Sequence, residues 1–239
     1  MAYQRILLKL SGEVLHGPDK TGFHRATLTT FGREILETQH LGAQVAVLIG
    51  GGNLFRGASL TNDGYRRATG DHIGMLATII NGLALQDVLE SLGGETRLVT
   101  SVRMDEVAEP YIRRRAIRHL EKGRIVVLAA GMGRPYFSTD TAAVQRALEI
   151  GAQVVFKGTR VDGVYDRDPE EHPDAKLYDA VSFNEAIAKD LRILDPTAFT
   201  LCRDNNLPVV VFNILKPGML QAATRGENIG TLVNASGER

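Results

Sequence analysis

The sequence predicts an α/β fold in which helices cover both faces of a mainly parallel sheet. Short apolar runs recur along the chain, and patterns with helical periodicity separate most of them. Strands that alternate with helices are connected by right-handed crossovers, so that neighbouring strands run parallel. A length of 239 residues suits one large domain with a sizeable core, or two lobes of one domain.

The runs define the elements in chain order. The predicted strands are residues 5–10, 44–49, 97–101, 124–130, 154–157 and 208–212. The predicted helices are residues 28–40, 73–92, 109–121 and 139–150. The sequence changes character near residue 150 without a flexible linker. We therefore expect a single domain, residues 1–239, with one lobe over residues 1–150 and a second over residues 151–239.

The composition argues against several classes of protein. The 28 basic and 28 acidic residues give a formal net charge of zero, which disfavours a general nucleic-acid or membrane surface. The basic run at 113–115 lies in an amphipathic helical pattern and predicts a solvated or subunit-facing surface. The single cysteine, Cys202, excludes an internal disulfide and is expected in the core. No apolar run approaches the ~18 residues of a membrane span, and an early strand leaves no room for a signal peptide, so we expect a cytoplasmic protein.

A glycine-rich turn follows the second predicted strand. Residues 50–52 are all glycine, so a charged group can approach their backbone N–H groups closely. Arg56 adds a guanidinium group whose planar donors suit phosphate. The turn lacks the dinucleotide-binding pattern, which needs glycine at Phe55, and the chain lacks a P-loop, which needs lysine at Pro18. A tight βα turn explains part of the glycine content, and the rest favours an anion site.

Two lysines lie at the carboxyl ends of predicted strands. Lys9 and Lys157 each follow an apolar run, and a buried lysine is rare without a partner. Ligands of α/β sheets bind beyond the carboxyl ends of the strands, where both ammonium groups would surround a transferring phosphoryl group. The alternative is that each lysine simply reaches water. Asp162 and Gly163, shortly after Lys157, predict a tight hairpin.

The loop from Gly131 to Asp140 combines paired glycines with aromatic residues. Ser138 or Thr139 can cap the following helix, whose N-terminal N–H groups favour an anion. Asp140 near the helix start has a simple explanation in the helix dipole. Capping does not explain the glycines and the aromatic residues, so we expect a ligand site here.

Two further aspartates are typical of helix caps. Asp71 stands where a long helical pattern opens, although acidic residues in such positions also bind ribose hydroxyls. Asp195 precedes Pro196, which is typical of an N-cap followed by proline at the first helical position. A functional role for Asp195 stays open beside this structural one.

Four segments together resemble one protein family. They are residues 9–13 (KLSGE), 50–57 (GGGNLFRG), 70–78 (GDHIGMLAT) and 161–165 (VDGVY). Over about residues 4–233 the chain resembles the bacterial UMP kinases of the amino acid kinase superfamily. The first two segments are shared across that superfamily, whereas the third is far more specific to UMP kinases.

The resemblance implies a fold and a reaction. The fold would be a three-layer α/β/α sandwich with a mainly parallel central sheet, an acceptor (UMP) lobe over 1–150 and an ATP lobe over 151–239, assembled as a homohexamer. The reaction would convert ATP and UMP to ADP and UDP in pyrimidine biosynthesis, with Mg²⁺ carried by ATP and no metal site of the protein's own. A phosphate acceptor has a second pKa of ~6 and is already deprotonated at pH 7, so no general base is required.

The resemblance also implies residue roles. The ATP-binding residues would be Lys9, Leu10, Ser11, Gly12, Gly52, Arg56, Thr159, Tyr165 and Asp168. The UMP-binding residues would be Gly51, Asp71, Met132, Gly133, Arg134, Pro135, Tyr136, Phe137, Ser138 and Thr139. The charged groups around the transferred phosphate would be Lys9, Arg56, Asp140 and Lys157, with Asp140 either orienting a lysine or reaching Mg²⁺ through water.

Some segments depart from the family pattern. Met132, Arg134, Tyr136 and Ser138 replace residues that are common in the acceptor loop, and residues 22–26 differ from the segment linked to GTP activation. GTP as activator and UTP as inhibitor are therefore family expectations only. Two alternatives remain: a superfamily kinase acting on a carboxylate or carbamate such as acetylglutamate, and a nucleotide sensor without catalysis.

Overall fold

One sheet organises the chain in this computed structural model, which describes residues 1–16, 22–55, 64–191 and 193–239. Its strands are β1 (Arg5–Leu10), β2 (Gln44–Ile49), β3 (Thr96–Thr100), β4 (Glu109–Pro110), β5 (Ile125–Ala129), β6 (Val154–Thr159), β7 (Ala180–Ser182), β8 (Val209–Asn213) and β9 (Thr231–Asn234). Their order in the sheet is β4-β3-β5-β2-β1-β6-β8-β9-β7. Within the described residues, neighbouring strands pair in parallel except β8 and β9. The prediction of a mainly parallel sheet is confirmed.

Helices cover both faces of this sheet. They are α1 (Arg25–His40), α2 (Arg67–Ser91), α3 (Arg113–Glu121), α4 (Thr139–Ile150), α5 (Phe183–Ala188), α6 (Pro196–Asp204) and α7 (Met219–Arg225), with a short 3-10 helix at Gly12–Leu15. Side chains alternate along β1, so that Ile6 and Leu8 pack in one core with α1, α2 and α7. Leu7 packs in the opposite core with α3, α4, α5 and α6. This arrangement is the expected three-layer sandwich.

The predicted elements agree with the structure where the periodic pattern is long. Each of the six predicted strands overlaps an observed one, and the helix at Thr139–Ile150 is found with the predicted ends. Pro196 opens α6 with Asp195 as its N-cap, as its sequence indicates. Cys202 lies in α6 and is fully buried in the core, also as expected.

Three local predictions are wrong. The helix predicted over 109–121 begins at Arg113, because Glu109–Pro110 pairs with β3 at the sheet edge, where proline is tolerated. Asp71 is not an N-cap, since α2 already begins at Arg67. The tight hairpin at 162–163 does not form.

Gly163 allows the backbone to lie close to Thr231 and does not form a tight turn. A Cβ atom there would lie 2.5 Å from Oγ1 of Thr231, and the neighbouring Val164 N–H donates to the same oxygen at 2.9 Å. The chain turns back later, through an antiparallel bridge between Tyr165 and Leu177. The residues between them, 166–176, form a largely exposed excursion.

Helix α2 is, among the described residues, the one helix long and apolar enough to cross a membrane. Counting uninterrupted apolar runs misses this helix, because polar residues such as Asn81 interrupt the pattern. Half of the most apolar part of α2 is buried within the structure, against α1 and the sheet. This is the environment of a core helix in a water-soluble protein, which meets the same criteria.

Candidate active site

The two strand-end lysines lie side by side. Lys9 and Lys157 are register partners in the parallel pair β1–β6, so their side chains leave the same face of the sheet. Both reach Asp140 in the first turn of α4: Lys9 Nζ lies 2.7 Å from Oδ1, and Lys157 Nζ lies 2.8 Å from Oδ2. All three side chains are largely buried: Lys9 is 9% exposed, Lys157 is 17% exposed and Asp140 is 15% exposed.

Opposite charges in this cluster hold the carboxylate of Asp140 in its ionised form. Burial alone would raise the pKa of Asp140, but the ammonium groups of Lys9 and Lys157 outweigh it and lower that pKa to about 2. Burial also lowers the pKa of Lys157, and Lys9 lowers it further against the opposing effects of Asp140 and Asp195. Two ammonium groups against one carboxylate leave one positive charge at the carboxyl ends of β1 and β6.

The glycine turn packs directly against the end of β1. Gly50 N–H donates to Leu10 O at 2.9 Å, which holds the two strand ends together. A Cβ atom at Gly12 would lie 2.5 Å from Oδ1 of Asn53 and 2.7 Å from the Gly50 carbonyl oxygen. Only glycine permits this approach of the two backbones. The loops predicted to bind phosphate are therefore neighbours in space.

A cleft of about 650 Å³ opens beside these loops and is lined mainly by residues of the range 157–211. Its lining includes the predicted ATP residues Lys9, Ser11, Thr159, Tyr165 and Asp168, together with Lys157. Other predicted ATP residues lie elsewhere: Leu10 and Gly12 are buried beneath the cleft. Arg56 lies outside the described residues, as does Pro18.

A smaller cleft of about 390 Å³ lies on the other side of the glycine turn. Its lining includes the predicted acceptor residues Gly51, Asp71, Met132, Arg134, Phe137 and Thr139. Gly52, predicted on the ATP side, lines this smaller cleft as well. The remaining members of the predicted loop are absent from its described lining; they are Gly133, Pro135, Tyr136 and Ser138.

Asp71 ties helix α2 to the acceptor loop. Its carboxylate accepts from Arg67 Nε at 2.9 and 3.0 Å, and its Oδ2 accepts from the Tyr136 N–H at 2.8 Å. Tyr136 adopts a φ of 72° and its side chain is 70% exposed. The loop backbone at Tyr136 is thus held by Asp71, which leaves further lone pairs on the carboxylate for a ligand.

Ser138 caps α4, as the sequence indicates, and it links that helix to α6. Its Oγ accepts from the Thr141 N–H at 3.0 Å and donates to Asp195. Asp195 also accepts from Thr141 Oγ1 at 2.9 Å. The sequence indicates Asp195 as a cap and leaves a functional role open, but no pattern in it indicates contacts with another helix.

Several polar residues of the site have no role predicted from the sequence, although Glu13 and Asn53 lie in segments that carry the family resemblance. Glu13 lines both clefts and so marks the place where they meet. Asn53 in the glycine turn and Asn81 in α2 are buried and bonded to each other, with Asn81 Nδ2 2.7 Å from Asn53 Oδ1. Asn81 also donates to Gly50 O at 2.8 Å, which fixes the turn on α2.

The described residues contain no group of three or more His, Cys, Asp or Glu side chains placed to hold a metal ion. Mg²⁺ commonly keeps its waters and binds through substrate phosphates, and such a site needs no cage of protein ligands.

Comparison with known proteins agrees with this geometry. Residues 4–213 match the model of the amino acid kinase family. The uridylate kinase of Xanthomonas oryzae pv. oryzae is 52% identical over 233 residues, which cover 98% of this chain and 97% of that protein.

Solved structures agree as well. The UMP kinase from Bacillus anthracis is 40% identical with a TM-score of 0.95, covering 99% of this chain and 98% of that one. The UMP kinase from Ureaplasma parvum is 33% identical with a TM-score of 0.91, covering 98% of this chain and 100% of that one. The chain therefore belongs to the amino acid kinase family and, within it, to the uridylate kinases.

Proposed function

We propose that this chain transfers the γ-phosphoryl group of ATP to UMP and releases ADP and UDP. The observation that carries the proposal is the convergence of two clefts at Glu13, with the Lys9–Asp140–Lys157 cluster beside their junction. Lys9 and Lys157 line the larger cleft, and Thr139, which precedes Asp140, lines the smaller one. Two anionic ligands can therefore meet at one positive centre.

The larger cleft suits ATP as the donor. Lys9 and Lys157 place positive charge at its inner end, and Thr159, Tyr165 and Asp168 line its walls toward the exposed excursion. Ser11 caps the 3-10 helix that starts at Gly12, which sets the backbone of the KLSG segment at the same end. We assign the phosphates to the lysine end and the adenosine to the outer end.

The smaller cleft suits UMP as the acceptor. Asp71 presents a carboxylate to the cleft, and Arg134 brings a cation near its mouth. Gly51 and Gly74 also line it: a Cβ atom at Gly51 would lie 2.8 Å from the Gly74 carbonyl oxygen, so the glycine turn packs closely on α2, whereas a Cβ atom at Gly74 would meet open space. A carboxylate that can accept from ribose hydroxyls and a cation for the phosphate suit a nucleoside monophosphate.

Catalysis in this site reduces to positioning and charge. The acceptor phosphate is already deprotonated at neutral pH, so the step needs no protein base. Lys9 and Lys157 reduce the repulsion between two anions and stabilise negative charge in the transition state. Asp140, bound by both, holds the ammonium groups at fixed positions and stays ionised because of its lowered pKa. Mg²⁺ on the ATP phosphates would neutralise part of the remaining charge.

Several finer points belong to the same proposal. We assign residues 1–150 to the acceptor lobe and residues 151–239 to the ATP lobe, in a cytoplasmic enzyme of pyrimidine biosynthesis. Self-association into a homohexamer is supported by exposed apolar side chains in one stripe of α2, namely Leu76, Ile80 and Leu83. Activation by GTP and inhibition by UTP are carried over from the family resemblance.

A substrate panel tests the proposed function. Purified protein is incubated with ATP and Mg²⁺ and with UMP, CMP, AMP or acetylglutamate in turn, and the products are separated chromatographically. We expect UDP with UMP and a much lower kcat/KM for the other acceptors. Transfer to acetylglutamate would favour a carboxylate kinase, and tight nucleotide binding without any product would favour a sensor.

A further inference from the structure

We propose that Asp195 is a positioning residue, which holds the first turn of α4 and thereby sets Asp140 between the two lysines. The inference rests on the proposed function, because it concerns the same phosphoryl transfer. Asp195 is not part of the described lining of either cleft, so it acts from outside them, through the α4 turn and through its charge near Lys157.

The carboxylate of Asp195 joins the N-termini of two helices. As the N-cap of α6, its Oδ1 accepts from the N–H groups of Thr197 and Ala198 at 3.0 and 3.1 Å. The same carboxylate accepts from Thr141 Oγ1 at 2.9 and 3.0 Å, and from Ser138 Oγ. Capping α6 accounts for the first two contacts and leaves those with Ser138 and Thr141 unexplained.

The two α4 residues that contact Asp195 lie on either side of Asp140 in the sequence. Ser138 and Thr141 flank residues 139 and 140, and the Thr141 N–H also donates to Ser138 Oγ at 3.0 Å. The backbone of Asp140 is therefore anchored on both sides by groups that Asp195 holds. A shift of this turn would move the carboxylate away from the ammonium groups at 2.7 and 2.8 Å.

The segment that ends at Asp195 also contacts Lys157, one of the two lysines that bind Asp140. Lys157 Nζ donates to the carbonyl oxygen of Ile193, two residues before Asp195. One short segment, Ile193 to Asp195, thus orients Lys157 through a backbone carbonyl and Asp140 through the α4 turn. Misplacement of catalytic groups by about 1 Å can lower turnover by about 10²-fold.

A matched set of variants separates this role from helix capping. Asp195→Ala removes the cap of α6 and the link to α4. Ser182→Ala removes the corresponding cap of α5, where Ser182 accepts from the Glu185 N–H at 3.1 Å, and Ser182 lines neither described cleft. Thr141→Val removes one of the two hydroxyl contacts that link Asp195 to α4 and keeps the cap of α6. Asp195→Asn retains a capping oxygen and an amide that can donate to the two hydroxyls.

The readouts are kcat, the KM values for ATP and UMP, and the midpoint of thermal unfolding. We expect Asp195→Ala to lower kcat by about 10-fold or more, with the KM for ATP changed less than about threefold. Ser182→Ala should lower the unfolding midpoint by a similar amount and leave kcat unchanged. Thr141→Val should also lower kcat. The double variant Asp195→Ala/Thr141→Val should have a kcat no lower than that of Asp195→Ala. Asp195→Asn should restore kcat to within about threefold of the unaltered chain.

Two results would overturn the inference. One is an unchanged kcat in both Asp195→Ala and Thr141→Val while the unaltered chain forms UDP. The other is a loss in Asp195→Asn as large as in Asp195→Ala, because hydrogen-bond geometry would then not be the cause. If Asp195→Ala fails to fold, Thr141→Val and Asp195→Asn decide the question alone. An unaltered chain that forms no UDP would refute the proposed function itself, and with it the role of Asp195.

Discussion

Lys9 and Lys157 are opposite each other in strands β1 and β6, and the ammonium groups of both contact the single carboxylate of Asp140. Two like charges this close would repel each other strongly if they stood alone in a buried site. The carboxylate between them reduces that repulsion and fixes both ammonium groups, while one net positive charge remains. The predictions below follow from this arrangement and from the two clefts around it.

The lowered pKa of Asp140 predicts a dependence of stability on acid. The unfolded carboxyl has a pKa of 3.8 and the folded one about 2, so the unfolded state binds more protons between these values. The contribution is fully present above pH ~4 and is lost as the pH falls toward 2, amounting to about 2 kcal/mol. We expect the difference in unfolding free energy between the native chain and Asp140→Asn, measured in urea, to shrink over this range. A difference that is constant from pH 5 to pH 2.5 would contradict the assignment.

The lowered pKa of Lys157 predicts a loss of turnover at alkaline pH. Burial and Lys9 favour the neutral amine, so the proton is lost below the ordinary pKa of 10.5. Because the neutral form cannot stabilise the transferring phosphoryl group, kcat should decrease as the pH rises, and this decrease should begin before pH 10.5 is reached. Stability should change in the opposite sense, rising with pH through the same window, since the folded state binds fewer protons there. A kcat that stays flat to pH 10.5 would remove Lys157 from the charged centre.

Asp71 is expected to act on the acceptor. Asp71→Asn keeps the shape of the side chain but weakens charge-assisted hydrogen bonds to ligand hydroxyls, which are worth about 1.5–3 kcal/mol. We expect the KM for UMP to rise by about 10-fold or more, with the KM for ATP as the internal control. Initial rates over a matrix of both substrates give the two constants together. Equal changes in the two KM values would indicate a general disturbance of the fold.

Gly74 and Gly12 form a contrasting pair of glycines. No atom lies within 4 Å of a Cβ built at Gly74, which is inside α2 and lines the smaller cleft. Gly74→Ala should therefore stabilise the protein by about 0.5–1 kcal/mol through helix propensity, yet raise the KM for UMP. Gly12→Ala should destabilise it by about 1–3 kcal/mol, because the Cβ would collide with Asn53 and Gly50. Urea unfolding checks both, and an unstable Gly74→Ala would show that the cleft is closed there.

The sequence predicts the sheet and the positions of its strand ends better than it predicts short elements and local contacts. Lys9 and Lys157 could be placed at one edge of the sheet, because carboxyl ends of parallel strands converge whatever the strand order. Strand β7, from Ala180 to Ser182, is too short to carry a periodic signal, and it forms only by pairing with β9. Asp71 looks like a cap from its neighbours, but α2 starts a turn earlier at Arg67, where no side chain caps the helix.

The polar contacts of the site depend on tertiary structure. Asn53 and Asn81 are separated by 28 positions in the chain and become partners only when α2 packs on the glycine turn. Nothing in the local sequence of Asp195 distinguishes a cap of one helix from a link between two. Glu13 follows a recognisable segment, yet its place between the clefts depends on where the 3-10 helix meets the turn.

The most direct test of the charged centre is the turnover of Lys9→Met. This variant keeps the length of the side chain and removes its charge, and Lys122→Met, at an exposed position after α3, is the matched control. We expect kcat for UDP formation to fall by about 10²-fold or more in Lys9→Met, as for the loss of one preorganised charge, and to be unchanged in Lys122→Met. A folded Lys9→Met protein with near-native kcat would contradict the account.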